Sequence, residues 1–254
     1  MIACALSIAG SDPSGGAGIQ ADLKTFLDHR IYGMAAITAL TTQNTRGVWG
    51  VHPVDPELVA EQVRQVLDDM PVGVIKIGMV GRSAAILRTI LSDVEAPIVL
   101  DPVLVSSSGQ PLTESSELDE LRDLARMCTV ITPNTPELEV LLKGSDPQEW
   151  AQDNAVAVLH TGGHGPGDEI VDVLHMPDGR CLHTRHARIE GRAMHGTGCT
   201  LSSAIASGLA RGWPLDRAVD AAIYSTAELL RRSQTQPLGS GSAPLLHGLV
   251  TCED

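Results

Sequence analysis

The sequence predicts an α/β fold with a mostly parallel central sheet covered by helices on both faces. Three observations carry that prediction. Short apolar segments alternate with amphipathic helical segments along the chain. The apolar segments are nearly continuous, as strands buried on both faces are. Most polar clusters follow a strand directly, where ligands of such sheets bind.

Ala5 to Ala9 reads as a buried first strand, Ile19 to Asp28 as a helix and Ala35 to Leu40 as the next strand. Asp55-Pro56 opens a helix to about Met70, because aspartate accepts at the N-cap and proline lacks only an N–H that the first turn cannot use. Val74 to Ile77 is a strand, Ser83 caps a helix to about Leu91, and Ile98 to Leu100 is a strand. Leu118 to Ala125 is helical and Thr129 to Thr132 extended. Thr135-Pro136 and Asp146-Pro147 repeat the cap-plus-proline signature, and Val156 to Leu159 is a strand. Glu169 to Leu174 and Arg180 to His186, joined by Pro177-Asp178-Gly179, form a hairpin. Two helices follow, from about Thr200 to Arg211 and from Leu215 to Arg232. Ser233 to Pro244, rich in Ser, Gln, Gly and Pro, reads as a mobile connection to a short tail.

No internal repeat or long linker divides the 254 residues, so 1–254 reads as a single domain. The net charge of −13 argues against nucleic acid or an anionic membrane as a partner. Only 2% of residues are aromatic, too few for base-stacking platforms. The five cysteines (Cys4, Cys128, Cys181, Cys199 and Cys252) are odd in number and form no C-x-x-C pair, which implies a reducing, cytoplasmic compartment. The start, Met1-Ile2-Ala3-Cys4, lacks a basic leader, and no apolar run reaches the roughly 20 residues of a membrane span.

The most distinctive stretch is Ala193-Met194-His195-Gly196-Thr197-Gly198-Cys199-Thr200, which runs into the helix-forming segment Leu201 to Leu209. Glycines there allow a sharp turn that aims several N–H groups at one point. The helix dipole adds positive potential, so the turn is an anion site. A thiol at its mouth is expected to have a lowered pKa and to act as base or nucleophile.

Gly10-Ser11-Asp12-Pro13-Ser14-Gly15-Gly16-Ala17-Gly18 follows the first strand and resembles a phosphate loop, though without G-x-G-x-x-G or G-K-[ST]. Its small residues let a flat ligand approach the backbone, and a plain strand-to-helix turn explains them equally well. Gln43-Asn44 follows the second strand, and a glutamine amide can meet an aminopyrimidine edge in two hydrogen bonds. A solvated loop amide is the plainer reading. Asp101-Pro102-Val103 and Asn134-Thr135-Pro136-Glu137 end successive strands, so Asp101 and Glu137 converge at one sheet edge, where two carboxylates suit Mg²⁺. Dipole stabilisation is the plainer role for Glu137. His160-Thr161-Gly162-Gly163-His164-Gly165 is another close-approach turn. His183 and His186 read as hairpin surface, and Lys76 interrupts an apolar strand with no partner legible in sequence.

Taken together, these stretches resemble the hydroxymethylpyrimidine/phosphomethylpyrimidine kinases of thiamine biosynthesis, within the ribokinase-like superfamily. The matching segments are Ala9 to Thr25, Ile37 to Leu40 with Gln43-Asn44-Thr45, Lys76 to Met79, Asp101 to Val103, Thr132 to Asn134 with Pro136-Glu137, and His195 to Thr200. Ribokinase-like enzymes generally carry aspartate where this chain has Cys199. The resemblance implies ATP-dependent phosphorylation of 4-amino-5-hydroxymethyl-2-methylpyrimidine and then of its monophosphate, in a homodimer. It implies a pyrimidine pocket of Gly10, Ala17, Gln43, Met79 and Val103, with Asp22 beside them. Asp101 and Glu137 would organise Mg²⁺. Asn134 and Gly162 would lie along the ATP phosphates. Gly196, Thr197 and Gly198 would form the anion hole, with Cys199 as the base.

The chain departs from the family pattern at Thr161, where lysine is common, and at Gly191-Arg192-Ala193-Met194, where Thr-Lys-Asn-Thr is common. Arg192 is the expected substitute for the missing charge. Three other readings stay open: a pyridoxal kinase-like activity, a Cys/His hydrolase with Cys199 as nucleophile and His195 as base, and a catalytically silent pyrimidine-binding protein.

Overall fold

The computed structural model describes residues 2–105, 112–164 and 167–249, so Gly165 and Cys252 lie outside the described residues. The first half runs β1 (Cys4–Ser11), α1 (Gly18–Asp28), β2 (Tyr32–Asn44), β3 (Gly47–Pro53), α2 (Pro56–Asp69), β4 (Val74–Ile77), α3 (Ala84–Ile90) and β5 (Ile98–Leu100). Then come α4 (Leu118–Ala125), β6 (Val130–Ile131), α5 (Thr135–Leu142), α6 (Pro147–Asn154) and β7 (Ala157–His160). The hairpin β8 (Glu169–His175) and β9 (Cys181–Ala187) follows, then β10 (Ala193–His195), α7 (Thr197–Ala210), α8 (Leu215–Ser233) and β11 (Ala243–Pro244).

Among the described residues, nine strands form one sheet in the order β3-β2-β1-β4-β5-β6-β7-β8-β9. The six from β2 to β7 are parallel, and β3, β8 and β9 add antiparallel edges. Successive strand residues point to opposite faces. Leu6, Ile75, Ile98, Ile131 and Val158 therefore join a core with Val59 and Val63 of α2, Leu87 of α3 and Leu124 of α4. Their neighbours Ala5, Val74, Val99, Val130 and Ala157 join a second core with Phe26 of α1, Ile205 of α7 and Ile223 of α8. The expected mostly parallel sheet, covered on both faces, is what the chain forms. No helix among the described residues is long and apolar enough to cross a membrane.

Four local expectations need correction. Strand β2 runs on to Asn44, so Gln43 belongs to a strand paired with β3 and not to a loop. Ser83 is buried and makes no capping bond to α3. Asn134, not Thr135, caps α5: its Oδ1 accepts from Glu137 N at 3.0 Å, and the Glu137 carboxylate accepts from Asn134 N at 3.0 Å. Finally, residues 233–244 are tied to the body of the protein. Ser233 ends α8, β11 pairs with β10, and Ser242 N donates to Thr45 O at 2.8 Å.

Candidate active site

A cavity of about 950 Å³ opens beyond the carboxyl ends of the parallel strands. The β1 loop contributes Gly10, Asp12 and Ala17, β2 contributes Thr41 and Gln43, and β4 leads into Met79. Beyond β5 come Asp101 and Val103, beyond β6 Asn134 and Glu137, and beyond β7 Thr161 and Gly163. Gly196, Thr197, Gly198 and Cys199 line it from the start of α7. Thus most of the residues expected to line a site meet in one place, because parallel strands deliver their following loops to one edge.

The chain reaches α7 through Gly196 at φ +82, a left-handed conformation that favours glycine. A Cβ there would lie 1.8 Å from Gly16 O, so the turn and the β1 loop are locked in contact. The helix begins three residues earlier than expected, which places Cys199 in its first turn. Its first intrahelical bond runs from Thr200 N to Gly196 O, so the N–H groups of Thr197, Gly198 and Cys199 face out of the helix end. With the dipole behind them they form an anion hole.

The Cys199 thiol corrects the expectation of an acidified sulfur. Burial pushes it up to about 12, against the pull of the Lys76 ammonium and a hydrogen bond from Gly18 N–H, while Asp101 and Asp22 push it further. Desolvation exceeds the helix-end effect here.

The carboxylates divide into two groups. Asp22 is fully buried below the cavity and does not line it, contrary to the pyrimidine-pocket expectation. It sits 3.0 Å from Lys76 Nζ and accepts from Ser7 Oγ and Ser203 Oγ at 2.6 and 2.7 Å. Burial alone would lower the Lys76 ammonium, but Asp22, with Cys199 and Asp101, raises it above its ordinary value. Asp101 and Glu137 do line the cavity. Burial pushes Asp101 up, opposed by Lys76, which lies 3.8 Å away. Burial and then the Asp101 charge push Glu137 up to about 7, against the hydrogen bonds it accepts.

Two buried carboxylates line the one cavity, and the charge of Asp101 raises Glu137, so a cation beside them would be favoured. Among the described residues no three of His, Cys, Asp and Glu cluster as a metal cage. The donor set therefore fits an oxygen-seeking ion that keeps waters and phosphate oxygens as its other ligands.

Two expected phosphate contacts lie elsewhere. Gly162 does not line the cavity, and its N–H donates to Asp172 Oδ1 at 2.8 Å. Arg192 is exposed and does not line the cavity either; its Nη2 donates to Gly239 O and Gly241 O at 2.6 and 3.2 Å. It ties down the segment before β11, so the geometry does not place its charge at the anion hole.

Sequence reasoning missed two pairs. His186 Nε2 meets Asp172 Oδ2 at 3.1 Å and lines the cavity, whereas His183 is exposed. Strand alternation on β9 was the available signal, since residues two apart share a face. The other pair is Asp12 with His195. The Asp12 carboxylate accepts from the N–H groups of Ser14, Gly16 and Ala17 and from Ser14 Oγ. His195 Nε2 lies 2.8 Å from its Oδ2. Burial works against this carboxylate, but the bonds from His195 and Ser14 hold it down at about 2. The His195 ring thus points to Asp12 and to Gln43, 3.0 Å away. The thiol instead faces Gly18 N–H and Asp101, so the two are not arranged as a nucleophile and its base.

The comparisons with known proteins agree with this geometry. A family model described as phosphomethylpyrimidine kinase matches residues 12–245. The hydroxymethylpyrimidine/phosphomethylpyrimidine kinase of Rhizobium meliloti is 42% identical over 97% of this chain and 97% of its own. A thiamine biosynthesis multifunctional protein of Corynebacterium efficiens is 38% identical over 97% of this chain, which spans only 35% of that longer relative. Among solved structures, a phosphomethylpyrimidine kinase from Clostridium difficile superposes with a TM-score of 0.76 at 35% identity, covering 90% of this chain and 99% of its own. A Bacillus subtilis pyridoxal kinase in complex with ADP superposes with a TM-score of 0.83 at 29% identity, covering 100% of both chains. With its helix-end thiol, paired carboxylates and glycine-lined cavity, the chain belongs to the phosphomethylpyrimidine kinase family, with the ribokinase-like fold.

Proposed function

We propose that the chain, acting as one domain over residues 1–254, transfers the terminal phosphoryl group of ATP to 4-amino-5-hydroxymethyl-2-methylpyrimidine and then to the resulting monophosphate. One observation carries this reading. The Cys199 thiol lies at the N-terminus of α7 in the same cavity as Gln43, Asp101 and Glu137. That shared lining supports reading Cys199 as the base, the helix start as an anion hole, Asp101 and Glu137 as the cation pair and Gln43 as the pyrimidine-reading amide.

Each part has work to do. Gly10, Ala17, Met79 and Val103 give the pyrimidine a close apolar slot, and the Gln43 amide reads its polar edge. A Cβ on Gly10 would come within 2.3 Å of Met79 Cε, so only a glycine lets Met79 lie as it does against this backbone. The N–H groups of Thr197, Gly198 and Cys199 stabilise charge on the transferring group without reorganising. Asn134, Thr161 and Gly163 line the phosphate side, and Ile223, Ala227 and Leu230 of α8 give an apolar wall suited to the adenine. Asp101 and Glu137 would hold Mg²⁺, which neutralises the phosphate charge when bound. A thiol raised to about 12 is protonated at neutral pH, so Cys199 acts as a base only from its minor thiolate form, which the Lys76 ammonium and the Gly18 N–H favour. That thiolate takes the alcohol proton late, as bonding to phosphorus is already under way.

The protein is expected to work in the cytoplasm as a homodimer. Exposed Tyr32, Leu40 and Trp49 on β2 and β3 support self-association through that sheet edge.

The test is ATP consumption with the hydroxymethyl pyrimidine, followed by product mass. One added phosphate establishes the first step and two establish both. No consumption with ligand bound would indicate a silent binding protein. Pyridoxal serves as the parallel substrate, because pyridoxal kinases share the fold over the full chain.

A further inference from the structure

We propose that His195 and Thr41 are positioning residues that fix the orientation of the Gln43 amide, and so make the site selective for an amidine edge over a lactam edge. The proposal rests on the kinase reading for its substrate and on the hydrogen-bond network for its argument.

The network begins at Asp12. Its carboxylate collects three backbone N–H groups and a hydroxyl, and His195 Nε2 lies 2.8 Å from Oδ2. A bare ring nitrogen would set lone pair against lone pair. Nε2 therefore carries a proton and donates it to Asp12, whether the ring is neutral or charged.

That proton decides how Gln43 lies. As placed, the Gln43 amide nitrogen lies 3.0 Å from the same Nε2 and its oxygen 3.3 Å from Thr41 Oγ1. An amide nitrogen there would bring two N–H donors together. Partners, not shape, distinguish amide oxygen from nitrogen. With the carbonyl oxygen toward His195, it shares the ring proton with Asp12. The amide nitrogen then lies toward Thr41 Oγ1, 3.3 Å away at the other end of the amide. The Thr41 hydroxyl donates to Ser11 O at 3.0 Å, which leaves a lone pair to accept from the amide. Only this orientation gives every group a complementary partner.

The edge that Gln43 offers the cavity is thereby fixed: acceptor on the His195 side, donor on the Thr41 side. An exocyclic amine beside a ring nitrogen matches it. A lactam, with C=O and N–H in those places, opposes it twice. A site built on hydrogen bonds rejects such mismatches strongly, because its own groups are left unpaired.

The experiment compares 4-amino-5-hydroxymethyl-2-methylpyrimidine with its 4-oxo analogue, by kcat/KM and by calorimetric binding without ATP. The native protein should prefer the amine by about 100-fold or more. Thr41→Val and His195→Leu should each cut that ratio at least about tenfold, and Thr41→Ser should restore it. Ratios unchanged in both variants, even with a lower kcat, would overturn the proposal. If His195→Leu fails to fold, the Thr41 pair decides. A native protein that binds the amine selectively but phosphorylates neither alcohol would sink the kinase reading and leave this inference standing.

Discussion

Cys199 and Glu137 line the same cavity, and burial works against the charged form of each. For Cys199, the expected consequence is kinetic. Cys199→Ala should leave pyrimidine binding intact and lower kcat by roughly 10²-fold or more, the scale of a lost general base. A variant of near-normal rate would remove the thiol from the mechanism. For Glu137 the consequence is thermodynamic. Its folded value of about 7 lies above the ordinary 4.5. The stability linked to its proton is complete below pH 4.5 and is lost as pH rises through about 7. Glu137→Gln cannot ionise, and its carbonyl can still accept from Asn134 N. The free protein should therefore melt about 5 °C higher than native at pH 8, with much less difference at pH 5, while activity falls. Equal melting curves at both pH values would refute the coupling. Individual roles were partly legible in sequence. Asp101 and Glu137 stood out because polar groups right after apolar strands share one edge. Asp12 and His195 did not, since the contact spans 183 residues and only the fold brings them together. The sign of the Cys199 shift was also hidden, because a helix end is visible in sequence and desolvation is not.

Among the elements, α7 and the β2–β3 hairpin have the clearest consequences. Gly196→Ala would force a Cβ into Gly16 O and a left-handed φ onto alanine. The turn must then move away from the β1 loop, taking the anion hole with it. A kcat loss of 10²-fold or more is expected, with a lower melting temperature. Full activity would show that the turn tolerates displacement. In the hairpin, Trp49 is 64% exposed on the edge strand β3. A large apolar side chain there is a hot-spot candidate for the proposed dimer. Trp49→Glu should raise the dimer dissociation constant about 30-fold or more in sedimentation. A native protein that sediments as a monomer would dismiss the dimer itself. Element type was readable wherever a period or cap was strong, as in α2 with its Asp55-Pro56 start. Strand β3 escaped because Gly47 to Pro53 mixes glycine, histidine and tryptophan without clean alternation. The α5 cap slipped by one residue, because Thr135 and Asn134 are both capping types and only the backbone shows which is extended.

Across the whole molecule, the alternation of strands and helices made the layered fold legible, yet its central charge remained unpaired on paper. Lys76 on β4 finds Asp22 on α1, 54 residues earlier, and lies 3.8 Å from Asp101 beyond β5. Ser7 of β1 and Ser203 of α7 complete the shell around Asp22. One fully buried ammonium at the cavity wall thus joins β4, β1, the end of β5 and two helices. Such a pair is costly to break and cheap to replace, because the cost lies in the charge left alone. Lys76→Met should destabilise by about 3–5 kcal/mol, since Asp22 and Asp101 lose their counter-charge. Adding Asp22→Asn removes one of those charges; the amide oxygen still accepts from one of Ser7 and Ser203, and its NH2 can donate to the hydroxyl of the other. The double variant should therefore recover much of the lost stability in urea unfolding, while kcat stays low because Asp101 still lacks its cation. If the double variant is no more stable than Lys76→Met alone, the network acts through packing and not through charge.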